Sequence, residues 1–173
     1  MTSEPPNLIF VGLPGAGKTT TGRAVAKALN WPFIDFDTEI EHRQHASVQS
    51  IFAAKGESYF RGLEQELSRE LSSCRGTVMS AGGGWITNGE SVALLRPVAR
   101  IIYLRVAPER AVSRLAHARV PRPLLQVPDP LAVLANLYEF RRPLYEQADL
   151  TIDTEVIERK EVIERVREFV RSL

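Results

Sequence analysis

The sequence predicts a three-layer α/β domain in which helices cover both faces of a central five-stranded parallel sheet. Short apolar segments alternate along the chain with longer segments whose apolar residues recur at helical spacing. This alternation is typical of parallel strands joined by helices. The chain has 173 residues, a length usual for one domain with one core, so we expect a single domain over residues 1–173.

Five short apolar segments have the character of strands. The fourth is almost continuously apolar, as expected for a strand that helices cover on both faces. We therefore expect the fourth strand to lie near the centre of the sheet. The predicted strands comprise residues 8–12, 32–36, 77–81, 99–106 and 150–153.

Apolar stripes at helical spacing predict helices whose inner faces pack on the sheet. Between the second and third strands, Gly56 is expected to separate two helices, and Thr87 with Glu90 predicts a capping box that opens a helix after the third strand. One stripe consists of Phe60, Leu63, Leu67 and Leu71, and another of Val156, Val162, Ile163, Val166, Phe169 and Val170.

The segment RVPRPLLQVPDP, residues 119–130, contains four prolines and little helical pattern. It is therefore predicted to be a loop between two helices. The two arginines beside the prolines favour a mobile lid over about residues 115–130, which would close over a ligand. The alternative is a passive surface connection.

The composition argues against several classes of function. Lys and Arg number 22 against 21 Asp and Glu, a net charge of +1 that gives no broad field to attract nucleic acid or anionic lipid. The N-terminal segment does not resemble a signal peptide, and no apolar run is long enough to span a bilayer. A single cysteine, Cys74, excludes an internal disulfide and fits a reducing compartment. We therefore expect a soluble cytoplasmic protein with no nucleic-acid or membrane partner.

The segment GLPGAGKTT, residues 12–20, fits the phosphate-loop pattern G-x-x-x-x-G-K-[ST]. It follows an apolar strand and opens a helix, so its glycines and the positive end of the helix can face phosphates. Lys18 can reach the outer phosphates, and Thr19 supplies the hydroxyl expected on magnesium. The residues predicted to bind ATP in this segment are Gly15, Ala16, Gly17, Lys18, Thr19 and Thr20.

Two aspartates follow the second strand in the segment FIDFDTEIE, residues 33–41. Ligands bind at the carboxyl ends of parallel strands, so Asp35 and Asp37 are expected on the side of the phosphate loop. Asp35 is a candidate for an indirect partner of magnesium, or alternatively an acid that favours the start of a helix. Asp37 is expected to orient a substrate hydroxyl and accept its proton, or alternatively to cap that helix.

Two further segments carry arginines suited to an anionic ligand. In GESYFRGLE, Arg61 lies near a helix start, where a cation is unfavourable, and Glu64 can fix its guanidinium by an ion pair. In EFRRPLY, Arg141 and Arg142 precede a proline that is expected to disturb the helix. In both segments the alternative is a charge that only faces solvent.

A run of three glycines follows the third strand in the segment SAGGGW, residues 80–85. Glycine lets the backbone approach a ligand where a side chain would collide. A bare turn rarely needs three glycines, so this run is a candidate part of the acceptor pocket.

Together, the motifs GAGKTT, DFD, FRGLE, GGG, RPLL and RRPLY resemble those of the shikimate kinase family in content, order and approximate separation. The resemblance covers nearly the whole chain. It implies the P-loop kinase fold and transfer of the γ-phosphoryl group of ATP to the 3-hydroxyl of shikimate, a step in aromatic amino-acid biosynthesis. The products would be shikimate 3-phosphate and ADP, and the cofactor would be Mg²⁺. The ligands would be ATP and shikimate, and we expect the enzyme to be a monomer.

Applied to the matching positions, the resemblance implies that Asp37, Arg61, Gly83 and Arg141 bind shikimate. The two arginines would hold its carboxylate, and Asp37 would hold its ring hydroxyls. Arg122 of RPLL would approach ATP from the lid. The catalytic residues expected from this assignment are Lys18, Asp37 and Arg122.

Three positions depart from the family pattern. His45 replaces a glycine that is common in the turn after the first acceptor-site helix. Phe36 stands between the two aspartates in place of a small polar residue, and Trp85 directly follows the three glycines, where it is a candidate for the pocket wall. These departures concern affinity more than reaction type.

Two other functions stay open on the sequence alone. One is a kinase for another small polyhydroxy acid such as gluconate. The other is a non-catalytic ligand-sensing domain built on the same fold.

Overall fold

The structure, a computed structural model, describes residues 4–118 and 123–173. Within these ranges, five strands form one parallel sheet and eight α-helices connect them. The strands are Asn7–Val11 (β1), Phe33–Asp35 (β2), Val78–Ser80 (β3), Ala99–Arg105 (β4) and Leu150–Asp153 (β5). The helices are Lys18–Leu29 (α1), Phe36–Gln44 (α2), Val48–Lys55 (α3), Glu57–Leu71 (α4), Gly89–Leu95 (α5), Pro108–Ala116 (α6), Pro130–Tyr145 (α7) and Arg159–Arg171 (α8).

The order of the strands across the sheet differs from their order in the chain. The spatial order is β2-β3-β1-β4-β5, and each neighbouring pair is parallel. Ile9 of β1 lies opposite Met79 of β3 and Ile101 of β4. Because β3 lies between β1 and β2, the loops that follow these three strands meet at one edge of the sheet. Ligands of open parallel sheets bind at this edge.

The centre of the core is β1. Leu8, Ile9 and Phe10 are each 0% exposed, although successive residues of a strand point to opposite faces. Both faces of β1 are therefore covered, which confirms the predicted three-layer arrangement. The apolar strand β4 lies next to β1 in the interior of the sheet, so its predicted position is confirmed, with β1 as the middle strand.

The predicted elements agree closely with the observed ones. Each predicted strand differs from the observed strand by at most one residue at either end, and Gly56 lies between α3 and α4 as expected. The stripe that begins at Phe60 faces the core along α4. The placement of Val156 in the C-terminal stripe is wrong, because α8 begins only at Arg159 and Val156 is 76% exposed in the preceding turn.

Two local predictions are corrected by the structure. Asn88, not Thr87, caps α5, and its side chain accepts a hydrogen bond from the N–H of Ser91. Thr87 instead ends a 3-10 helix over Trp85–Thr87, and this extra turn moves the start of α5. Pro143 does not break α7, which continues to Tyr145. Since Pro143 lies in the last turn, it removes only one backbone donor near the end of the helix.

The region of the predicted lid is described in part. A 3-10 helix covers Pro123–Gln126, and α7 begins at Pro130 after a cap by Asp129. Residues 119–122, including Arg122, lie outside the described residues. In the described ranges, no helix is long and apolar enough to cross a membrane.

Candidate active site

The phosphate loop leads into a helix that presents free backbone donors. Gly17 precedes α1 with a φ of 88°, and no side chain in the described part of the chain caps this end. The first N–H groups of a helix have no partner within the helix, so the start of α1 is suited to bind phosphate. Gly15 has a φ of +85°, and a Cβ there would lie 2.6 Å from the carbonyl oxygen of Ala111. Only glycine fits this position.

The side chain of Lys18 contacts the start of the same loop. Its Nζ donates hydrogen bonds to the carbonyl oxygen of Gly12 at 2.8 Å and to that of Leu13 at 3.0 Å. The ammonium group is thus held beside the backbone donors of the loop. Ala16 is buried and Thr20 exposed within the same segment.

A cluster of oxygen atoms lies beside the loop where β2 and β3 end. Oγ1 of Thr19 donates to Oδ2 of Asp35 at 2.6 Å and lies 3.3 Å from Oγ of Ser80. Oδ1 of Asp35 accepts a hydrogen bond from the N–H of Thr38 at 3.0 Å, so Asp35 also caps α2. The role of Asp35 at the start of the helix is therefore confirmed, and its indirect role at magnesium stays a prediction.

This oxygen cluster is the candidate magnesium site. No group of three or more His, Cys, Asp or Glu side chains that could hold a metal occurs among the described residues. A hydroxyl and a carboxylate are hard oxygen donors, and Mg²⁺ commonly takes only one or two protein ligands beside phosphate oxygens and water. The contact between Thr19 and Asp35 fits that coordination.

Asp37 lies in a crowded acidic environment. Burial raises its pKa to about 6, and the charges of Asp35 and Glu64 add to the rise, whereas Lys18 opposes it. The cap of α2 is Asp35, so the alternative that Asp37 caps this helix is wrong. A carboxylate with a raised pKa is a suitable general base.

Arg61 is fixed by two carboxylates on its own helix. Its Nη1 donates to Oε2 of Glu64 at 2.8 Å, and its Nη2 donates to Oε1 of Glu57 at 3.2 Å. The side chain of Glu64 is 0% exposed, so this ion pair is not a solvent-facing surface pair. Asn88 donates to the carbonyl oxygen of Arg61 at 3.1 Å and to Glu64 at 3.4 Å, a support that the sequence analysis missed.

Each of the three glycines after β3 has a charged side chain as its nearest neighbour. A Cβ on Gly82 would lie 2.6 Å from Oδ1 of Asp37, and one on Gly83 would lie 3.4 Å from Nη1 of Arg141. A Cβ on Gly84 would lie 2.7 Å from Cζ of Arg61. The turn of residues 82–84 thus brings together three side chains that come from three different helices.

Arg141 and Arg142 have opposite surroundings although they are adjacent in α7. Nε and Nη1 of Arg141 are buried and have no hydrogen-bond partner among the described residues. Arg142 is exposed and pairs with Glu146 at 2.8 Å. Because unmet buried donors are costly, Arg141 is the arginine that is suited to bind an anion, and Arg142 is a surface residue.

The two aromatic departures from the family pattern lie beneath the site. Phe36 and Trp85 are each 0% exposed, and their rings meet edge to face at 6.0 Å. Nε1 of Trp85 donates to Oγ of Ser68 at 3.1 Å. Trp85 is therefore a core residue and does not line the open pocket.

Of the residues predicted for the acceptor site, Asp37, Arg61, Gly83 and Arg141 come together at the glycine turn. Arg122 lies outside the described residues. Ser80 and Asn88 were not predicted, although each follows a recognisable signal: Ser80 is the last residue of β3, and Asn88 immediately precedes a helix.

This chain is similar to known proteins over nearly its whole length. A family model for shikimate kinase matches residues 14–171. The shikimate kinase of Moorella thermoacetica is 39% identical over 168 residues, which cover 97% of this chain and 96% of the relative. That of Pseudomonas savastanoi is 45% identical over 150 residues, covering 86% of this chain and 87% of the relative.

The solved structures give the same result. Shikimate kinase from Acinetobacter baumannii in complex with shikimate superposes with a TM-score of 0.88 at 36% sequence identity, covering 97% of this chain and 94% of that one. With a matching family model over most of its length, this chain belongs to the shikimate kinase family.

Proposed function

We propose that this protein transfers the γ-phosphoryl group of ATP to the 3-hydroxyl of shikimate and releases shikimate 3-phosphate and ADP. The observation that supports this most is the pocket at the glycine turn. There, the guanidinium of Arg141, with two unmet buried donors, faces Gly83, and the carboxylate of Asp37, whose pKa is raised to about 6, faces the adjacent Gly82. An acceptor with one carboxylate and several hydroxyls matches both groups. The membership of the chain in the shikimate kinase family supports the same substrate.

On the acceptor side, Arg141 and Arg61 would hold the carboxylate of shikimate. Arg61 is already paired with Glu57 and Glu64, whereas Arg141 has unmet donors. We therefore expect Arg141 to supply the larger share of the binding energy. Gly83 would let the ring lie close to the backbone.

Asp37 would orient the attacking hydroxyl. Its carboxylate accepts the proton while the hydroxyl oxygen forms a bond to the γ-phosphorus and the bond to the β-γ bridging oxygen breaks. ADP leaves with the electron pair of that bond. Positioning and electrostatic stabilisation account for most of the catalysis in this class of reaction.

On the nucleotide side, Lys18 and the backbone of residues 15–20 would hold the phosphates. Thr19 and, indirectly, Asp35 would hold Mg²⁺, which would offset the negative charge of the phosphates. Arg122, from a lid over about residues 115–130, would add a second cation and exclude water after closure. The role of Arg122 stays a prediction.

We also propose that residues 1–173 act as one cytoplasmic domain and as a monomer. The single cysteine fits a reducing compartment such as the cytoplasm. Gel filtration with light scattering tests the oligomeric state directly.

The test of the function is an assay of ADP release with shikimate, with gluconate and without acceptor. Of these three conditions, we expect rapid release of ADP only when shikimate is the acceptor. In Lys18→Ala, which lacks the ammonium group in the loop, we expect no release of ADP. Faster release with gluconate would support a different polyhydroxy acid. Tight binding of shikimate without any ATP turnover would instead favour the ligand-sensing alternative.

A further inference from the structure

Two stacked tyrosines anchor the end of the helix that carries Arg141. Tyr145 is the last residue of α7 and is 1% exposed. Its ring stacks on that of Tyr103 in β4, with centroids 4.8 Å apart and planes 13° from parallel. Tyr103 lies between Val11 of β1 and Thr151 of β5 in the sheet. The stack therefore ties the end of α7 to the rigid interior of the sheet.

The hydroxyl of Tyr145 is not explained by this packing. It is buried and makes no full hydrogen bond within the described ranges. Phenylalanine would give the same stack without burying an unmet polar group, which is unfavourable for folding. A hydroxyl retained at such a position is a candidate for a functional contact.

The neighbour of this hydroxyl is the guanidinium of Arg141, one helical turn earlier. Burial raises the pKa of the Tyr145 phenol, while the charge of Arg141 and its approach to the phenol oxygen oppose that rise. The phenol oxygen, like Nε and Nη1 of this guanidinium, is buried and has no hydrogen-bond partner among the described residues. Residues four apart on a helix lie on the same face, so the contact follows from the spacing in RRPLY.

We propose that Tyr145 is a positioning residue, whose stacked ring and hydroxyl hold the guanidinium of Arg141 toward Gly83 in the geometry that receives the acceptor carboxylate. This inference rests on the proposed function, because it concerns the carboxylate of shikimate. A guanidinium has five N–H donors. It can donate one to the phenol oxygen and still present a two-donor fork to a carboxylate.

The test is Tyr145→Phe, which keeps the ring stack and removes only the hydroxyl. We expect the KM for shikimate to rise about three- to tenfold, with kcat and the KM for ATP nearly unchanged. The dissociation constant of shikimate without ATP, measured by calorimetry, is expected to rise by the same factor. The melting temperature is expected to stay the same or increase, because an unmet buried hydroxyl is lost.

The matched control is Tyr103→Phe, which removes the other hydroxyl of the same stack. The charged groups that face Tyr103 are Arg105 and Glu146, so we expect its KM for shikimate to match that of the wild type. In an Arg141→Ala background, Tyr145→Phe is expected to cause no further rise in KM, since the residue that it positions is gone.

Three results would overturn the inference: an unchanged KM in Tyr145→Phe, an equal rise in KM when Tyr145→Phe is added to Arg141→Ala, or a Tyr145→Phe variant too unstable to purify. Each would assign a structural role to the hydroxyl. These results are distinct from a failure of the proposed function, in which the wild-type protein itself would not phosphorylate shikimate.

Discussion

At the scale of single residues, the chemistry of Asp37 follows from its neighbours. Its carboxylate is half-buried, which raises its pKa most; the charges of Asp35 and Glu64 add to the rise, and Lys18 offsets only part of it. The protonated form therefore persists to a higher pH than in an ordinary aspartate. A general base must be ionised before it can accept the proton of the attacking hydroxyl.

We predict an acidic limb in the pH profile of kcat/KM for shikimate. The raised pKa of Asp37, about 6, means that kcat/KM is expected to fall about tenfold per pH unit well below that value and to level off above it. The measurement is steady-state kinetics at a series of pH values. In Asp153→Asn, which removes a carboxylate with a lowered pKa at the end of β5, the limb is expected to stay. A profile that is flat down to about pH 5 would remove Asp37 from the role of base.

At the scale of elements, the glycine turn after β3 depends on space more than on unusual backbone. Gly84 has a φ of −96°, which any residue can adopt. Its Cβ position is nevertheless filled by the guanidinium of Arg61. The turn and α4 are therefore complementary in shape. The guanidinium of Arg61 on α4 fills the space that a side chain at Gly84 would take.

We predict that Gly84→Ala raises the KM for shikimate at least about tenfold, because the added methyl group displaces the guanidinium of Arg61 from its place between Glu57 and Glu64. The matched control is Gly89→Ala at the start of α5, where an added Cβ has no neighbour within 4 Å. Steady-state kinetics of both variants make the comparison. Equal KM values in the two variants would show that Arg61 does not need this position.

The end of α2 carries a strained residue. His45 follows the helix with a φ of 52° in the left-handed region, and its N–H donates to the carbonyl oxygen of Glu41. A side chain with a Cβ is unfavourable in this conformation, whereas glycine adopts it readily. This geometry favours glycine, the residue that the family resemblance implies at this position, over the histidine of this chain.

We predict that His45→Gly raises the free energy of unfolding by about 0.5–1 kcal/mol. The control is Asn30→Gly at the equivalent end of α1, where φ is 56°. Asparagine tolerates the left-handed region better than histidine, so we expect a smaller gain there. Urea unfolding of both variants gives the two values, and a loss of stability in His45→Gly would contradict the argument.

The sequence predicts some of these elements and contacts and not others. Apolar runs and the glycine pattern gave the strands and the phosphate loop, because those features depend on short-range spacing. Thr87 and Asn88 are both good helix caps, and only the 3-10 turn before them decides between the two. The contact of Gly84 with Arg61 and the stack of Tyr145 on Tyr103 join distant parts of the chain. No local pattern predicts such pairs.

At the scale of the whole molecule, the order of the strands creates the site and also lowers the stability of the fold. Since β3 lies between β1 and β2, the residues that follow these strands meet at one edge, and Asp35, Asp37 and Glu64 come close enough to affect one another. Like charges that are gathered in a buried site oppose folding. The acidic residues gathered at the site are therefore expected to lower the free energy of unfolding at neutral pH.

We predict that Asp37→Asn is more stable than the wild type above about pH 6, although it is nearly inactive. The pKa of Asp37 is about 6 in the folded protein, against 3.8 for an ordinary aspartate, so the unfolded chain loses its proton first as the pH rises. The wild type therefore loses stability between these two values, by about 2 kcal/mol after allowance for solvent screening. Below the lower value the advantage of asparagine disappears.

Urea unfolding of the wild type and Asp37→Asn across this pH range measures the difference. Asp153→Asn is the control of opposite sign, because a hydrogen bond from the backbone of Glu155 lowers the pKa of Asp153. The charge of Asp153 therefore favours the folded state at neutral pH, and its loss is expected to reduce stability there. If Asp37→Asn has no advantage at about pH 8, the carboxylate is not destabilised by its neighbours, and the predicted acidic limb of the activity profile would lose its physical basis as well.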